Sequence, residues 1–310
     1  MRRSGTHTCI GTNTYLIGRR NPFILVDTGE GKESYIPYLE ASLKQPADDP
    51  SQQLISDIVL THRHHDHTLG LPSVLALLRR LWPADLGDFR PPRIHKYPLP
   101  MHSPDTALQS MLGQLSVDSF TPPEDNRSVI HQLQELQTIH GSDSSLLVLY
   151  TPGHTIDSIC LYLLEEKALF TADTVLGQGT AVFEDLAAYV TSLHSLLQFR
   201  EQSETHQFTT IYPGHGPVVN DGHKLIDQYI KHRMERETQI VRVLSTPGSS
   251  GNIWRLGDLV ADIYANYPRS LWGPAAHGVQ LHLKKLEVEK RVEHLKGEGE
   301  DSTWVLKSKS

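Results

Sequence analysis

The stretch Thr61-His62-Arg63-His64-His65-Asp66-His67 places five metal-binding side chains within six consecutive residues. It follows Ile55-Ser56-Asp57-Ile58-Val59-Leu60, a short β-branched run that reads as a strand, so the cluster sits at a strand's C-terminal end. Side chains on an extended chain repeat direction every two residues, so His62 and His64 suit one ion. A turn into helix beyond them redirects Asp66 and His67 toward a neighbouring position, offering a second ion a carboxylate oxygen and an imidazole nitrogen. Zinc-like ions about 3.5 to 4 Å apart bind and activate water in such arrangements. His65, between these ligands, is expected to face away.

Alone, the cluster could be a solvated loop, but three later motifs oppose that reading. Thr151-Pro152-Gly153-His154-Thr155, Ala172-Asp173-Thr174 and Tyr212-Pro213-Gly214-His215-Gly216 each place one ligand just after a strand-like run, where loops carry function on a rigid scaffold. The expected ligand set is therefore His62, His64, Asp66, His67, His154, Asp173 and His215. Histidine supplies 18 of the 310 residues, and imidazole is the commonest metal ligand. Cys9 and Cys160 are too few for a thiolate cage, and Cys160, in an apolar run, reads as a core residue.

Outward from these motifs, residues 13–17 and 23–26 read as a hairpin joined across Gly18-Arg19-Arg20-Asn21-Pro22. Further strands are expected at 93–97, 145–150, 158–164, 168–171, 209–212 and 303–306, and helices at 35–43, 71–81 and 186–199. From about residue 224 the pattern turns helical, with helices at 224–244, 256–264 and 279–295 and a turn at Gly273-Pro274-Ala275-Ala276-His277-Gly278. This divides the chain into a catalytic domain, 1–222, and a helical module, 223–310.

The net charge of −7 opposes a surface tuned as a whole to polyanions. No apolar run approaches the roughly 18 residues of a membrane span. The basic start, Met1-Arg2-Arg3, lacks the apolar stretch of a secretory signal, so a cytoplasmic location is expected.

Taken in order and spacing, these histidine and aspartate motifs resemble the metallo-β-lactamase superfamily over about residues 10–220. The resemblance implies an α/β fold, a four-layer αββα sandwich with metals at one edge of the sheets. It also implies two Zn2+ ions: His62, His64 and His154 on the first, Asp66, His67 and His215 on the second, and Asp173 bridging. More narrowly, Gly11-Thr12-Asn13-Thr14-Tyr15-Leu16, Asp27-Thr28-Gly29-Glu30 and Gly179-Thr180-Ala181-Val182-Phe183-Glu184-Asp185-Leu186 are similar to a lactamase-like group. That group contains animal endoribonucleases and fungal acyl-carrier thioesterases of aromatic polyketide pathways, and its C-terminal module is winged-helix-like.

Two departures stand out. The family has an extended lead before Gly11 where this chain supplies only about ten residues, so either a leading segment is missing or one sheet lacks an edge strand. Ala172 stands where the family often has glycine, a change tolerable at negative φ.

The resemblance implies a metal-dependent hydrolase, with Asp66 orienting the water and passing its proton to the leaving group. Asp27 could fix the tautomer of a ligand histidine or be an ordinary turn aspartate. The substrate would be a thioester on an acyl carrier domain or a small thioester. The alternative is single-strand-directed endoribonuclease activity, the only reading with a nucleic-acid partner. The last helix is basic at Lys284, Lys285, Lys290 and Arg291, but Glu287, Glu289 and Glu293 interleave, as on a solvated face. A non-enzymatic module would not need all seven ligands.

Overall fold

Continuous apolar runs build two stacked sheets, and helices of 3.6-residue period cover their outer faces. The computed structural model describes residues 2–4, 11–44, 52–100, 106–125, 128–248 and 251–307. In chain order, its first half runs β1 (Arg2–Ser4), β2 (Thr14–Ile17), β3 (Phe23–Val26), α1 (Tyr35–Leu43), β4 (Ile55–Leu60), α2 (His65–Thr68), α3 (Leu71–Leu81), β5 (Arg93–Lys96), α4 (Thr106–Leu112), β6 (Ile130–Gln132), β7 (Thr138–His140) and β8 (Ser145–Tyr150). The second half runs β9 (Ile159–Leu163), β10 (Ala168–Ala172), α5 (Leu186–Glu201), β11 (Thr210–Pro213), α6 (Gly222–Leu244), β12 (Ile253–Arg255), α7 (Leu256–Ile263), α8 (Trp272–Val288), β13 (Val292–Lys296) and β14 (Thr303–Leu306).

The first sheet has the order β1-β2-β3-β4-β5-β6, antiparallel through β3 and parallel beyond it. The second, β11-β10-β9-β8-β7, is antiparallel except for the parallel pair β10 and β11. Successive residues of β9 divide between two cores. Ile159 and Leu161 face Tyr15, Ile24 and Val59 of the first sheet, whereas Cys160 and Tyr162 face Leu193 of α5 and Ile226 of α6. On the far face of the first sheet, Leu25, Ile58 and Leu60 pack beneath Leu39 of α1 and Val74 of α3. The layers are thus αββα, with every residue of β2, β3 and β4 buried, as expected of strands covered on both faces.

Helix α6 leaves this sandwich and enters a third core, where Ile240 and Val243 meet Leu259, Val279, Leu283 and Trp304. A three-stranded sheet, β12-β14-β13, completes this C-terminal winged-helix module. Among the described residues, no helix is long and apolar enough to cross a membrane.

Three expectations are corrected. Arg2–Ser4 pairs antiparallel with Thr14–Leu16, so the first sheet does have an edge strand there. The helix expected at 279–295 is displaced: α8 starts at Trp272, with Pro274 tolerated in its first turn. It stops at Val288 because Lys290 takes a φ of +60°, the left-handed conformation that ends helices, and the chain turns back as β13. His277 accordingly lies within α8, exposed, not in a turn.

Within the first sheet, the fully buried Asp57 accepts from Arg93 Nε and Nη2 at 2.7 and 2.9 Å and pairs with His95 Nε2 at 2.7 Å. Burial alone would raise its carboxyl, but hydrogen bonds from His95, Arg93 and Ser56 outweigh this and hold it well below the usual carboxylate range. A depressed folded-state pKa gives stability that is complete above the unfolded value of about 3.9 and lost as pH falls. Asp57→Asn should therefore cost roughly 1 to 3 kcal/mol at neutral pH, the range for hydrogen bonds to a charged group, since the remaining cation, Arg93, is half exposed and keeps its water. Denaturant titrations of variant and parent should converge at acid pH; a constant gap down to acid pH would count against the ion pair.

Candidate metal centre

The seven expected ligands converge at one edge of the sandwich, and both sheets contribute. His62, His64, Asp66 and His67 follow β4, while His154, Asp173 and His215 follow β8, β10 and β11. The ligand atoms form two groups, His62, His64, His154 and Asp173 in one and Asp66, His67 and His215 in the other, each within 4.8 Å. Asp173 touches both. Its Oδ2 lies 3.6 Å from His154 Nε2 and 3.2 Å from His215 Nε2, and its Oδ1 lies 3.4 Å from His67 Nε2. His65 is exposed and outside both groups.

The ring tautomers follow from the partners behind each imidazole. His67 Nδ1 donates to Asp27 Oδ2 at 2.7 Å, so Nε2 is the ring atom turned toward Asp66 and Asp173. Thr61 Oγ1 spends its single proton on Asp27 Oδ2 at 2.8 Å, so it accepts from His62 Nδ1 at 3.1 Å and leaves His62 Nε2 bare. His154 Nδ1 donates to the Val182 carbonyl at 2.7 Å. Its bare Nε2 then lies 3.2 Å from His62 Nε2 and 3.0 Å from His64 Nδ1. Three imidazole nitrogens this close cannot all hydrogen-bond one another, whereas a shared cation satisfies them together. His67 Nε2 and Asp173 Oδ1 are also buried without a hydrogen-bond partner. Two imidazole-carboxylate groups without thiolate suit zinc-like ions.

Without cations the groups compensate one another. Burial would lower the His215 imidazole, but hydrogen bonds to Asp173 and Asp66 push it up to about 10. Burial and the neighbouring imidazoles hold His62 well below its usual value.

Glycine is required at two turns. Gly153 has a φ of +131° and lies so close to α5 that a Cβ would meet Tyr189 Cα at 2.3 Å. A Cβ on Gly214 would meet Asp173 Oδ1 at the same distance, 2.3 Å. The Gly11-to-Leu16 motif acts as a clamp: Thr12 Oγ1 donates to Asp66 Oδ2 at 3.0 Å, Asn13 Nδ2 to the Pro213 and Gly216 carbonyls at 2.9 Å each, and Tyr15 OH to the Pro213 carbonyl at 2.7 Å.

Sequence reasoning missed the buried pair of Lys96 Nζ with Asp157 Oδ2. Asp157 Oδ1 also accepts from Thr155 Oγ1 at 2.8 Å, so a strand of the first sheet steadies the loop carrying His154. Cys160 is buried, as expected; Cys9 lies outside the described residues. Ala172 has a φ of +44°, so the negative φ at which alanine would readily replace glycine is not met. The register of β10 against β11 shifts between Phe170 and Ala172, and this irregularity reverses the backbone just before Asp173.

A four-layer sandwich with a histidine-aspartate cluster at one edge of its sheets defines a class of metal-dependent hydrolases. Residues 7–215 match the Metallo-beta-lactamase superfamily and residues 256–304 the Beta-lactamase associated winged helix domain, and the chain belongs to that superfamily. It is 34% identical to a beta-lactamase-like protein 2 homolog of Drosophila melanogaster over 95% of this chain and 88% of that one. It is 31% identical to the atrochrysone carboxyl ACP thioesterase of Aspergillus novofumigatus over 80% of this chain and 62% of that one. A beta-lactamase domain protein from Burkholderia ambifaria shares the fold, with a TM-score of 0.64 at 17% identity over 98% of this chain and 90% of that one.

Asp27→Asn should turn an amide N–H or a weaker carbonyl acceptor toward His67 Nδ1 and release its orientation. We expect zinc affinity to fall about 10- to 100-fold, as when a partner behind a ligand histidine is lost, in competition with a chromophoric chelator; unchanged affinity would remove Asp27 from the centre. A left-handed backbone costs a residue with a Cβ roughly 1 to 2 kcal/mol, against about 0.5 to 1 kcal/mol of added chain entropy for glycine. Ala172→Gly should thus stabilise the fold by about 0.5 to 1 kcal/mol, read as a higher urea midpoint at unchanged slope.

Proposed function

We propose that the protein is a thioesterase that uses two zinc ions to release an acyl or polyketide product from an acyl carrier, with 1–222 as its catalytic domain and 223–310 as an appended module. His62, His64 and His154 would hold one ion and Asp66, His67 and His215 the other, with Asp173 shared. Bound there, zinc would supply an activated water and polarise the thioester carbonyl.

The observation that carries the choice of substrate is the character of the surface around the site. Val182, whose carbonyl orients His154, and Ile156, two residues beyond that ligand, have exposures of 71% and 42%. The cation beside the ligands, Arg63, pairs with Glu184 at 2.5 Å. In the C-terminal module, Lys285 pairs with Glu237 and Glu289 at 2.6 Å each, and Arg291 with Glu237 at 2.6 Å and Glu289 at 3.3 Å. Cations already engaged by carboxylates are poor partners for RNA phosphates, and exposed aliphatic side chains suit an acyl group. Lys285 itself is buried, whereas Lys284, Glu287, Glu289, Lys290, Arg291 and Glu293 are exposed, as expected of a solvated face. The names of the fungal thioesterases among the relatives agree with this reading.

In this reading Asp66 is the group that transfers the proton. Its side chain is 39% exposed, and Thr12 and His215 both engage its Oδ2, at 3.0 and 3.1 Å. Water oxygen adds to the acyl carbon, the carbon–sulfur bond breaks, and Asp66 passes the water's proton to the leaving sulfur, giving a carboxylic acid and a thiol.

The purified zinc protein should release thiol from an acyl-thioester at a rate that changes little with added salt. Asp173→Ala should abolish both turnover and binding of the full metal complement, measured by elemental analysis. Cleavage of single-stranded RNA without thiol release, falling steeply with salt as phosphate contacts are screened, would replace this reading with an endoribonuclease. Full metal content in Asp173→Ala would remove Asp173 from its shared place.

A further inference from the structure

We infer that Arg233 and Tyr229 of helix α6 are positioning residues for His154, acting through the loop 176–185. This rests on the reading of His154 as a metal ligand. The His154 tautomer depends on one backbone oxygen, that of Val182, at 2.7 Å from Nδ1. The Val182 side chain is 71% exposed, so its own packing does not hold that oxygen in place.

The residues around Val182 are held from two sides. Toward the ligand loop, the Glu184 and Asp185 amides donate to the Gly153 carbonyl at 2.8 and 3.1 Å. Toward α6, Arg233 Nη2 donates to the Ala181 carbonyl at 3.1 Å, and its guanidinium lies 4.8 Å from the centre of the Phe183 ring. One helical turn earlier, Tyr229 OH donates to the Gly179 carbonyl at 3.0 Å and accepts from the Leu176 amide at 3.3 Å. The two side chains, four residues apart on one helix face, thus hold the backbone on the N-terminal side of Val182 and the ring just after it.

Arg233 is a costly residue to keep there. Its Nε is buried without a hydrogen-bond partner. After burial itself, which lowers its pKa, the groups acting most strongly on its charge are the hydroxyls of Tyr189, Tyr229 and Tyr264, with no carboxylate among them. A methionine would fill similar space against Phe183 without burying a cation. What arginine adds is the directed bond to the Ala181 carbonyl, one residue before the oxygen that orients His154.

The test is zinc affinity of the metal-free full-length protein, by competition with a chromophoric chelator, with circular dichroism to verify folding. Arg233→Met should weaken zinc binding about 10- to 100-fold, the usual effect of losing a group behind a ligand histidine, and Arg233→Lys, which can still donate to the Ala181 carbonyl, should recover part of the loss. A folded Arg233→Met protein that binds zinc as tightly as the parent overturns the inference. Tyr229→Phe removes one hydroxyl and decides the matter if Arg233→Met does not fold: weaker binding supports the relay, and unchanged binding overturns it. His154→Ala separates the two readings. If it leaves affinity unchanged, His154 is not a ligand and the relay falls with it; if it lowers affinity while the α6 variants do not, only the relay fails.

Discussion

Asp27 is the carboxylate on which the arrangement of the centre depends. It accepts the Thr61 amide and hydroxyl, at 2.8 Å each, and the His67 ring at 2.7 Å. Because the Thr61 hydroxyl has one proton and gives it to Asp27, the same carboxylate dictates the tautomer of His62 at one remove. One buried anion therefore orients an imidazole in each ligand group. The fold supplies its position through the parallel pairing of β3 with β4, which sets Val26 beside Val59 and brings the residues after both strands together. A φ of +58° at Asp27 turns the chain there, a conformation aspartate tolerates better than most residues.

Orientation behind the rings would be of little use if the two sheets could slide, since each contributes ligands. Polar side chains cross-link them at the metal edge. Asn13 and Tyr15 from the first sheet hold the turn carrying His215, and Lys96 reaches Asp157 in the loop after His154. Donors held this rigidly cannot relax to satisfy one another, which is why His67 Nε2 and Asp173 Oδ1 stay buried and unpartnered. An unmet polar atom in a protein interior costs about 1 to 3 kcal/mol, a cost that binding of a cation would remove.

The candidate ligands were legible as a cluster because each follows a strand, and strands announce themselves by β-branched runs and punctuating Pro-Gly turns. The same local logic recovered β3, β4, β8, β14, α1 and α3 at their observed limits. What it could not supply were partners distant along the chain. Asp27 reads equally as a turn residue until β3 and β4 are paired, and nothing near Lys96 points to Asp157, 61 residues away. Lys285 and Arg291 look solvated beside interleaved glutamates, yet their shared partner is Glu237, 48 and 54 residues back. Strands of three residues such as β6 and β7 are too short to show a period. At Ala172 the difficulty is different, because a positive φ set by a strand irregularity leaves no mark on residue type.

Helix α6 joins the two halves of the molecule physically, not only in sequence. Its first turns bury Ile226 and Ile230 in the sandwich, and its last turns bury Ile240 and Val243 in the C-terminal core. Between them, Glu237, 6% exposed, meets Lys285 and Arg291. A buried pair of this kind adds little net stability, but any docking that separates its members leaves a charge stranded at a cost of about 3 to 5 kcal/mol. The module can therefore seat against α6 in few ways, and its seat bears on the helix that also presents Tyr229 and Arg233 to the loop behind His154. The C-terminal module thus packs on a helix that it shares with the sandwich carrying the candidate metal centre.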